Sequence, residues 1–252
     1  MRSGETKGRV FLVGAGPGAP DLITIRGKEL ISRADVIVHD SLIPMELLSL
    51  ARDEAEIIDV GKTGGHHKAD QEEINNILVR KAKLGNLVVR LKGGDPFLFG
   101  RGGEEAEMLI REGIRVHLVP GVTSAISVPG LAGIPVTHRD HSSTVTFVTG
   151  HEGIHKGKET VNWSSLADLG GTIVILMGMS NLRSNMDNLI NGGMDSSTTV
   201  AVIEKGSTTD QRVIMGTLVS IAELCEKEDV HAPSIIVVGG VATMREWLGD
   251  LE

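Results

Sequence analysis

The residues of this chain that could do chemistry fall into three groups. They are glycine clusters placed after apolar runs, single acids or bases delivered at the ends of such runs, and one His–Glu–His constellation. The densest group is Gly93-Gly94-Asp95-Pro96-Phe97-Leu98-Phe99-Gly100-Arg101-Gly102-Gly103, where five of eleven residues are glycine. Glycine costs backbone entropy on folding, so such density suits a place where a ligand must approach the main chain. The run Asn86 to Lys92 (NLVVRLK) reads as a strand feeding this stretch, and Glu104 to Glu112 as a helix leaving it. An ordinary βα connection needs only about two to six residues. This stretch is longer, and it reads as the wall of a binding site.

A second glycine group, Gly14-x-Gly16-x-Gly18, follows the apolar run Arg9 to Val13, and Asp40 ends the next such run. That layout invites a dinucleotide or Rossmann-type reading, with Asp40 on a ribose. Two features oppose it. Pro17 removes an N–H where a pyrophosphate would need one, and Ala19 stands where the third glycine belongs. Gly61-Lys62-Thr63 resembles the end of a phosphate-binding loop, but Glu56 occupies the position of its first glycine. Lys62 and Asp40 nevertheless fall at neighbouring strand ends, where they could form an acid/base pair or a salt bridge. His151-Glu152-Gly153-Ile154-His155 matches the zinc-protease pattern, which works only on a helix. Gly150, Gly153 and Gly157 argue against a helix there, so the match reads as a coincidence in a loop. The loop cations His66, His67, Lys68, Arg101, His138, Arg139 and His141 read singly as solvated charge, and together as a possible polyanion site.

Alternating strands and helices must carry these groups. The first half reads strand 9–13, helix 25–33, strand 34–39, a helix after Pro44, strand 56–60, helix 71–83, strand 86–92, helix 104–112 and strand 116–119. Such alternation predicts a parallel, doubly wound sheet. Strands resume at 144–149, 172–177, 199–203, 212–216 and 234–238, with helices at 181–191 and 218–227. The expectation is two α/β domains, 1–121 and 122–252, with a ligand cleft between them.

Composition narrows the function classes. With 25 basic and 33 acidic side chains the formal charge is −8, against the basic surface of a general nucleic-acid binder. Four Phe, two Trp and no Tyr leave little to stack on single-stranded bases. The longest apolar runs are strand-sized, far short of a membrane span, and residues 1–8 are polar. Cys225 is the single cysteine, which excludes an internal disulfide and a cysteine-cluster metal site and fits a reducing cytoplasm.

Five stretches in order carry a resemblance. They are VGAGPGAPDLITIRG (13–27), ADVIVHDSLI (34–43), VGKTGGHHKADQEEIN (60–75), VVRLKGGDPFLFGRGGEE (88–105) and VPGVTSAISVPGLAGIPVTHR (119–139), continued by ILMG (175–178) and EKGSTTDQR (204–212). The chain resembles the uroporphyrinogen-III C-methyltransferases of the tetrapyrrole methylase family over nearly its whole length. The resemblance implies that S-adenosylmethionine binds in a folded shape between two α/β domains, not on a Rossmann finger, and leaves as S-adenosylhomocysteine. It places the cofactor on Pro17, Gly93, Gly94, Asp95, Leu98, Thr123, Ser124, Met177 and Gly206. It gives Asp40 the role of catalytic base and Lys62 that of proton donor, and it requires no metal. The implied reaction is methylation of uroporphyrinogen III at carbons 2 and 7 to give precorrin-2, on the way to siroheme or cobalamin. That substrate carries eight carboxylates, which makes Arg101, His138 and Arg139 candidate clamps. A sister enzyme acting on a later precorrin is the alternative, and the glycine-loop block argues against it. The resemblance also implies a homodimer with no nucleic-acid or membrane partner. Nothing here resembles the dehydrogenase–ferrochelatase half of some siroheme synthases, so the methyltransferase alone is expected.

Overall fold

The structure is a computed structural model that describes residues 8–61, 71–151 and 161–251. The chain divides into two compact units, Met1–Thr123 and Ser124–Glu252. In the first, strands β1 (Arg9–Gly14), β2 (Val36–His39), β3 (Glu56–Asp59), β4 (Leu87–Lys92) and β5 (Arg115–Val119) alternate with helices. These are α1 (Ile25–Ile31), α2 (Met45–Leu48), α3 (Gln71–Lys83) and α4 (Gly102–Arg111). Thr24 starts α1 by accepting the Gly27 N–H at 3.1 Å. Every strand pairing is parallel, in the order β3-β2-β4-β1-β5.

A parallel sheet is covered on both faces, so its strands read as nearly continuous apolar runs. One face here packs Leu30, Ile31, Leu47 and Leu48 of α1 and α2 against Phe11, Ile37, Val89 and Leu91. The other packs Ile74, Leu78 and Leu109 of α3 and α4 against Val10, Val38 and Val88. Strand β4 is thus followed by a helix on one face, while its neighbours β1 and β2 are followed by helices on the opposite face. Connections diverge on both sides of β4 at the carboxyl edge, which is where doubly wound sheets hold ligands.

The second unit begins with α5 (Ser124–Leu131), β6 (Val145–Thr149), α6 (Trp163–Leu169), β7 (Thr172–Leu176) and α7 (Leu182–Asn191). It continues through β8 (Thr199–Glu204), β9 (Arg212–Thr217), α8 (Ile221–Lys227), β10 (Ser234–Val238) and α9 (Arg245–Leu248). Its sheet is mixed, in the order β6-β7-β10-β8-β9: β6 and β7 run parallel and the other pairings are antiparallel. Leu182, Met186 and Leu189 of α7 and Ile221, Ala222 and Cys225 of α8 fill the core on one face of this sheet. The expectation of two α/β domains is met, with two different sheets. Helix α6 was not among the expected elements, although the Asn162 side chain caps it by accepting the Ser165 N–H at 3.0 Å.

Candidate active site

The carboxyl edge of the first sheet gathers the residues that the sequence singles out there. β1 delivers Gly14, β2 delivers Asp40, β4 delivers Gly93 and Gly94, and β5 is followed by Pro120 and Gly121. Backbones meet closely at this edge. A Cβ on Gly14 would lie 2.5 Å from the Gly121 Cα and 2.5 Å from the Gly94 carbonyl oxygen. One on Gly121 would lie 2.2 Å from that same oxygen. Gly94 has φ +62°, and its N–H donates to the Gly16 carbonyl at 2.7 Å. Gly93 is different, because a Cβ there would meet only the Leu42 Cβ at 4.0 Å. The main chain is open to a ligand at Gly93 and closed at Gly14 and Gly121.

Asp95 turns out to organise the loop from within. One carboxylate oxygen accepts the Phe97 N–H at 2.8 Å and the other the Gly121 N–H at 3.0 Å. Pro96 is buried, and its carbonyl receives the Gly102 N–H at 2.9 Å. Phe99 and Arg101 take positive φ of 53° and 57°, a left-handed conformation that side-chain-bearing residues seldom adopt. Leu98 and Pro17 are half-buried. Arg101 stands at the start of α4 and is shared with Glu104, its Nη2 donating at 2.5 Å. That bond raises its already high pKa.

The first glycine group does not cradle a pyrophosphate. The Ala15 N–H is spent on the Lys92 carbonyl at 2.8 Å and the Gly16 N–H on the Gly94 carbonyl at 3.3 Å, and Pro17 has none. These bonds instead tie the two glycine loops together.

Asp40 is held by a charge cluster that sequence reasoning missed. Arg90 Nη2 donates to Asp40 Oδ1 at 2.5 Å, and Lys92 Nζ lies 3.9 Å from Oδ2. Both cations also reach Glu105 Oε1, at 3.3 and 2.9 Å. Arg90, Lys92 and Glu105 are buried, at 1%, 4% and 0% exposure. Burial and the neighbouring Arg90 push the Lys92 ammonium below its usual pKa, against the opposing pull of Glu105 and Asp40. The signal was in the strand NLVVRLK: Arg90 and Lys92 sit two apart, on the inward face that Val88 opens. Lys62, His66, His67 and Lys68 lie outside the described residues.

In the second unit, Ser124 opens α5, and Thr123 ends the first unit just before it. Met177 follows β7 with φ 55° and is 53% exposed, so its side chain is not core. Gly206 lies in the β8–β9 connection between Lys205 and Ser207, both at positive φ. A Cβ there would fall 2.2 Å from Val128 Cγ1, so glycine lets this loop sit against α5. The rings of His138 and His141 lie 5.1 Å apart, and His138 Nδ1 accepts the Asp140 N–H at 3.2 Å. Arg139 is exposed and has no ion pair among the described residues. His151 is not helical, and the rest of the zinc-protease pattern lies outside the described residues. Among the described residues no group of three or more His, Cys, Asp or Glu could hold a metal ion, and no helix is long and apolar enough to cross a membrane.

A cavity of about 440 Å³ opens among Arg9, Arg33 and Arg115, at the amino-terminal ends of the first sheet's strands. It lies away from the edge that carries the motif residues, and we place no part of the site there.

Comparison with known proteins gives the family. Residues 9–222 match the family described as Tetrapyrrole (Corrin/Porphyrin) Methylases. The chain is 53% identical over 243 residues to the S-adenosyl-L-methionine-dependent uroporphyrinogen III methyltransferase of Methanosarcina barkeri, covering 96% of this chain and 95% of that one. A crystal structure of uroporphyrin-III C-methyltransferase from Thermus thermophilus with S-adenosylhomocysteine superposes with a TM-score of 0.80 at 37% identity, over 94% of this chain and 99% of that one. A cobalt precorrin-4 methyltransferase superposes with 0.83 at 29% identity, over 96% and 98% of the two chains. The chain belongs to the tetrapyrrole (corrin/porphyrin) methylases.

Proposed function

We propose that this protein transfers methyl groups from S-adenosylmethionine to carbons 2 and 7 of uroporphyrinogen III, giving precorrin-2. The observation that carries the reading is the likeness, over 96% of this chain, to a relative of that activity at 53% identity. Fold alone would not separate this substrate from a later precorrin, because the precorrin-4 enzyme superposes equally well. Sequence does separate them.

The chain's residues fit the cofactor. Gly93 leaves room against the main chain at a strand's carboxyl end, and the peptide groups beside it are fixed by Gly94 and Asp95. We assign the cofactor to Pro17, Gly93, Gly94, Leu98 and Thr123 of the first unit and to Ser124, Met177 and Gly206 of the second. Asp95 belongs to the same assignment, and it also shapes the loop through the Phe97 and Gly121 N–H groups. When bound, the sulfonium supplies an electrophilic methyl group.

The protein's share of the work is positioning, which can be worth several powers of ten in rate. Each transfer forms a carbon–carbon bond, breaks the sulfur–methyl bond and leaves the macrocycle with a proton to lose. Asp40, part-exposed at the edge, is the base we assign to that proton, with Lys62 as its acid partner. Arg101, His138 and Arg139 are assigned to the substrate carboxylates, and Arg139 is the one whose guanidinium has no ion pair among the described residues. A cytoplasmic homodimer is the setting we infer from the resemblance.

The test is anaerobic incubation with S-adenosylmethionine and enzymatically made uroporphyrinogen III, followed by mass spectrometry of the oxidised product. A gain of two methyl groups is the expected result. No gain, together with retained S-adenosylhomocysteine binding, would reject this substrate and point to a later precorrin.

A further inference from the structure

β4 is the central strand of its sheet, and on one face it carries two cations, Arg90 and Lys92. Charges in such a place are costly unless each is paired, and an apolar filler of similar volume is often the more stabilising choice. Here the partners are Asp40 and Glu105, so the four formal charges cancel. The wiring is not symmetrical. Glu105 Oε1 accepts from Arg90 Nε at 3.3 Å, Lys92 Nζ at 2.9 Å and Gln71 Nε2 at 3.2 Å. Arg90 Nη1 is further pinned by the carbonyls of Val38 and Leu91 at 3.4 and 3.3 Å. Only then does Arg90 Nη2 reach out to Asp40, whose side chain remains 35% exposed. Glu105 is fully buried on α4, the helix that leaves the glycine loop.

We propose that Glu105 is a positioning residue: acting through Arg90 and Lys92, it fixes the Asp40 carboxylate at the carboxyl edge of the sheet beside Gly93. The inference rests on the function proposed above. Its physical content is a competition for two buried cations. The Glu105 carboxylate satisfies them from inside the helix layer, and Asp40 can stand out at the edge. With a neutral side chain in place of Glu105, Asp40 is the one carboxylate left to them among the described residues, and it is drawn inward. A displacement of about 1 Å from the reacting geometry can cost about a hundredfold in rate.

The experiment is a double-mutant cycle with Glu105→Gln, which keeps the shape, and Asp40→Asn. For each protein one measures kcat, KM for uroporphyrinogen III, S-adenosylhomocysteine affinity and urea unfolding. Glu105→Gln is expected to lower kcat about a hundredfold while cofactor affinity changes less than about twofold. Added to Asp40→Asn, it should lower kcat by no more than about threefold further, because its effect passes through Asp40. Losses that simply multiply would mean that Glu105 acts by some other route and would overturn the proposal. So would a near-normal kcat for either single variant. If Glu105→Gln does not fold, Lys92→Met is read in its place against the same non-additivity. A wild-type enzyme that adds no methyl to uroporphyrinogen III would instead reject the function. The unfolding cycle then decides the linkage alone: coupling between positions 40 and 105 retains it, and additivity rejects it.

Discussion

Glu204 shows how far a buried carboxylate can be held by its partners. It ends β8 at 3% exposure, and its oxygens accept the Arg212 Nε–H and the His231 N–H, each at 2.7 Å. Burial opposes its ionisation, but the His231 N–H and the Arg212 guanidinium outweigh burial and hold the carboxyl below its usual value of 4.5. A carboxyl whose folded pKa is depressed contributes stability above its unfolded pKa and loses it as pH falls through the folded value. Glu204→Gln should therefore cost about 2 kcal/mol at pH 7. The gap from wild type should shrink as pH falls below about 4. Urea unfolding at a series of pH values checks this, and a gap that stays constant down to acid pH would rule out the linkage. Arg101 with Glu104 is the contrasting case: that pair is more than half exposed, so its worth to stability is small and Arg101 remains available for a ligand.

At the scale of elements, the glycine loops make a sharp distinction between two residues of one sheet edge. Gly121→Ala would drive a Cβ against main chain on both sides, 2.2 Å from the Gly94 oxygen and 2.7 Å from the Gly14 Cα, with no side chain able to swing away. It should destabilise the protein by about 2–3 kcal/mol or prevent folding. Gly93→Ala places its methyl in open space, so stability should stay within about 0.5 kcal/mol. Its S-adenosylhomocysteine affinity should nonetheless fall about tenfold or more, which calorimetry measures directly. Wild-type affinity in Gly93→Ala would remove the loop from the cofactor site. Sequence alone could see that this stretch was special, because five glycines cannot serve an ordinary turn. It could not see which glycines face a ligand and which face another backbone, since that depends on Gly14, Gly94 and Gly121 meeting from three separate strand ends. The same limit hid the loop contacts of Asp95 and the Arg90–Glu105 cluster. Spacing places a carboxylate on an element but does not say whether it looks outward or is consumed by a neighbouring N–H.

Across the whole molecule, the half with local alternation was legible and the half with distant pairings was less so. In the first unit each strand but β5 is followed by its covering helix, and α3 occupies residues 71–83 as its apolar spacing predicts. In the second, β10 inserts between β7 and β8, a pairing that no local pattern announces. This second unit contains Cys225, which gives a reporter for its opening. The thiol is 1% exposed on α8, and burial, with the Glu204 charge behind it, pushes its pKa up to about 11. A thiol so placed reacts only when the surrounding core opens, so its labelling rate follows the open population when closing outpaces reaction. A ligand that binds only the native state stabilises it by about 2.7 kcal/mol at a hundredfold excess over its dissociation constant. S-adenosylhomocysteine at that excess should slow Cys225 labelling about a hundredfold if Ser124, Met177 and Gly206 are part of its site. The protection should weaken in Gly93→Ala, a change made in the other unit, at the same ligand concentration. Labelling that ignores the ligand, while calorimetry still shows binding, would confine the cofactor to the first unit and strike those three residues from the site.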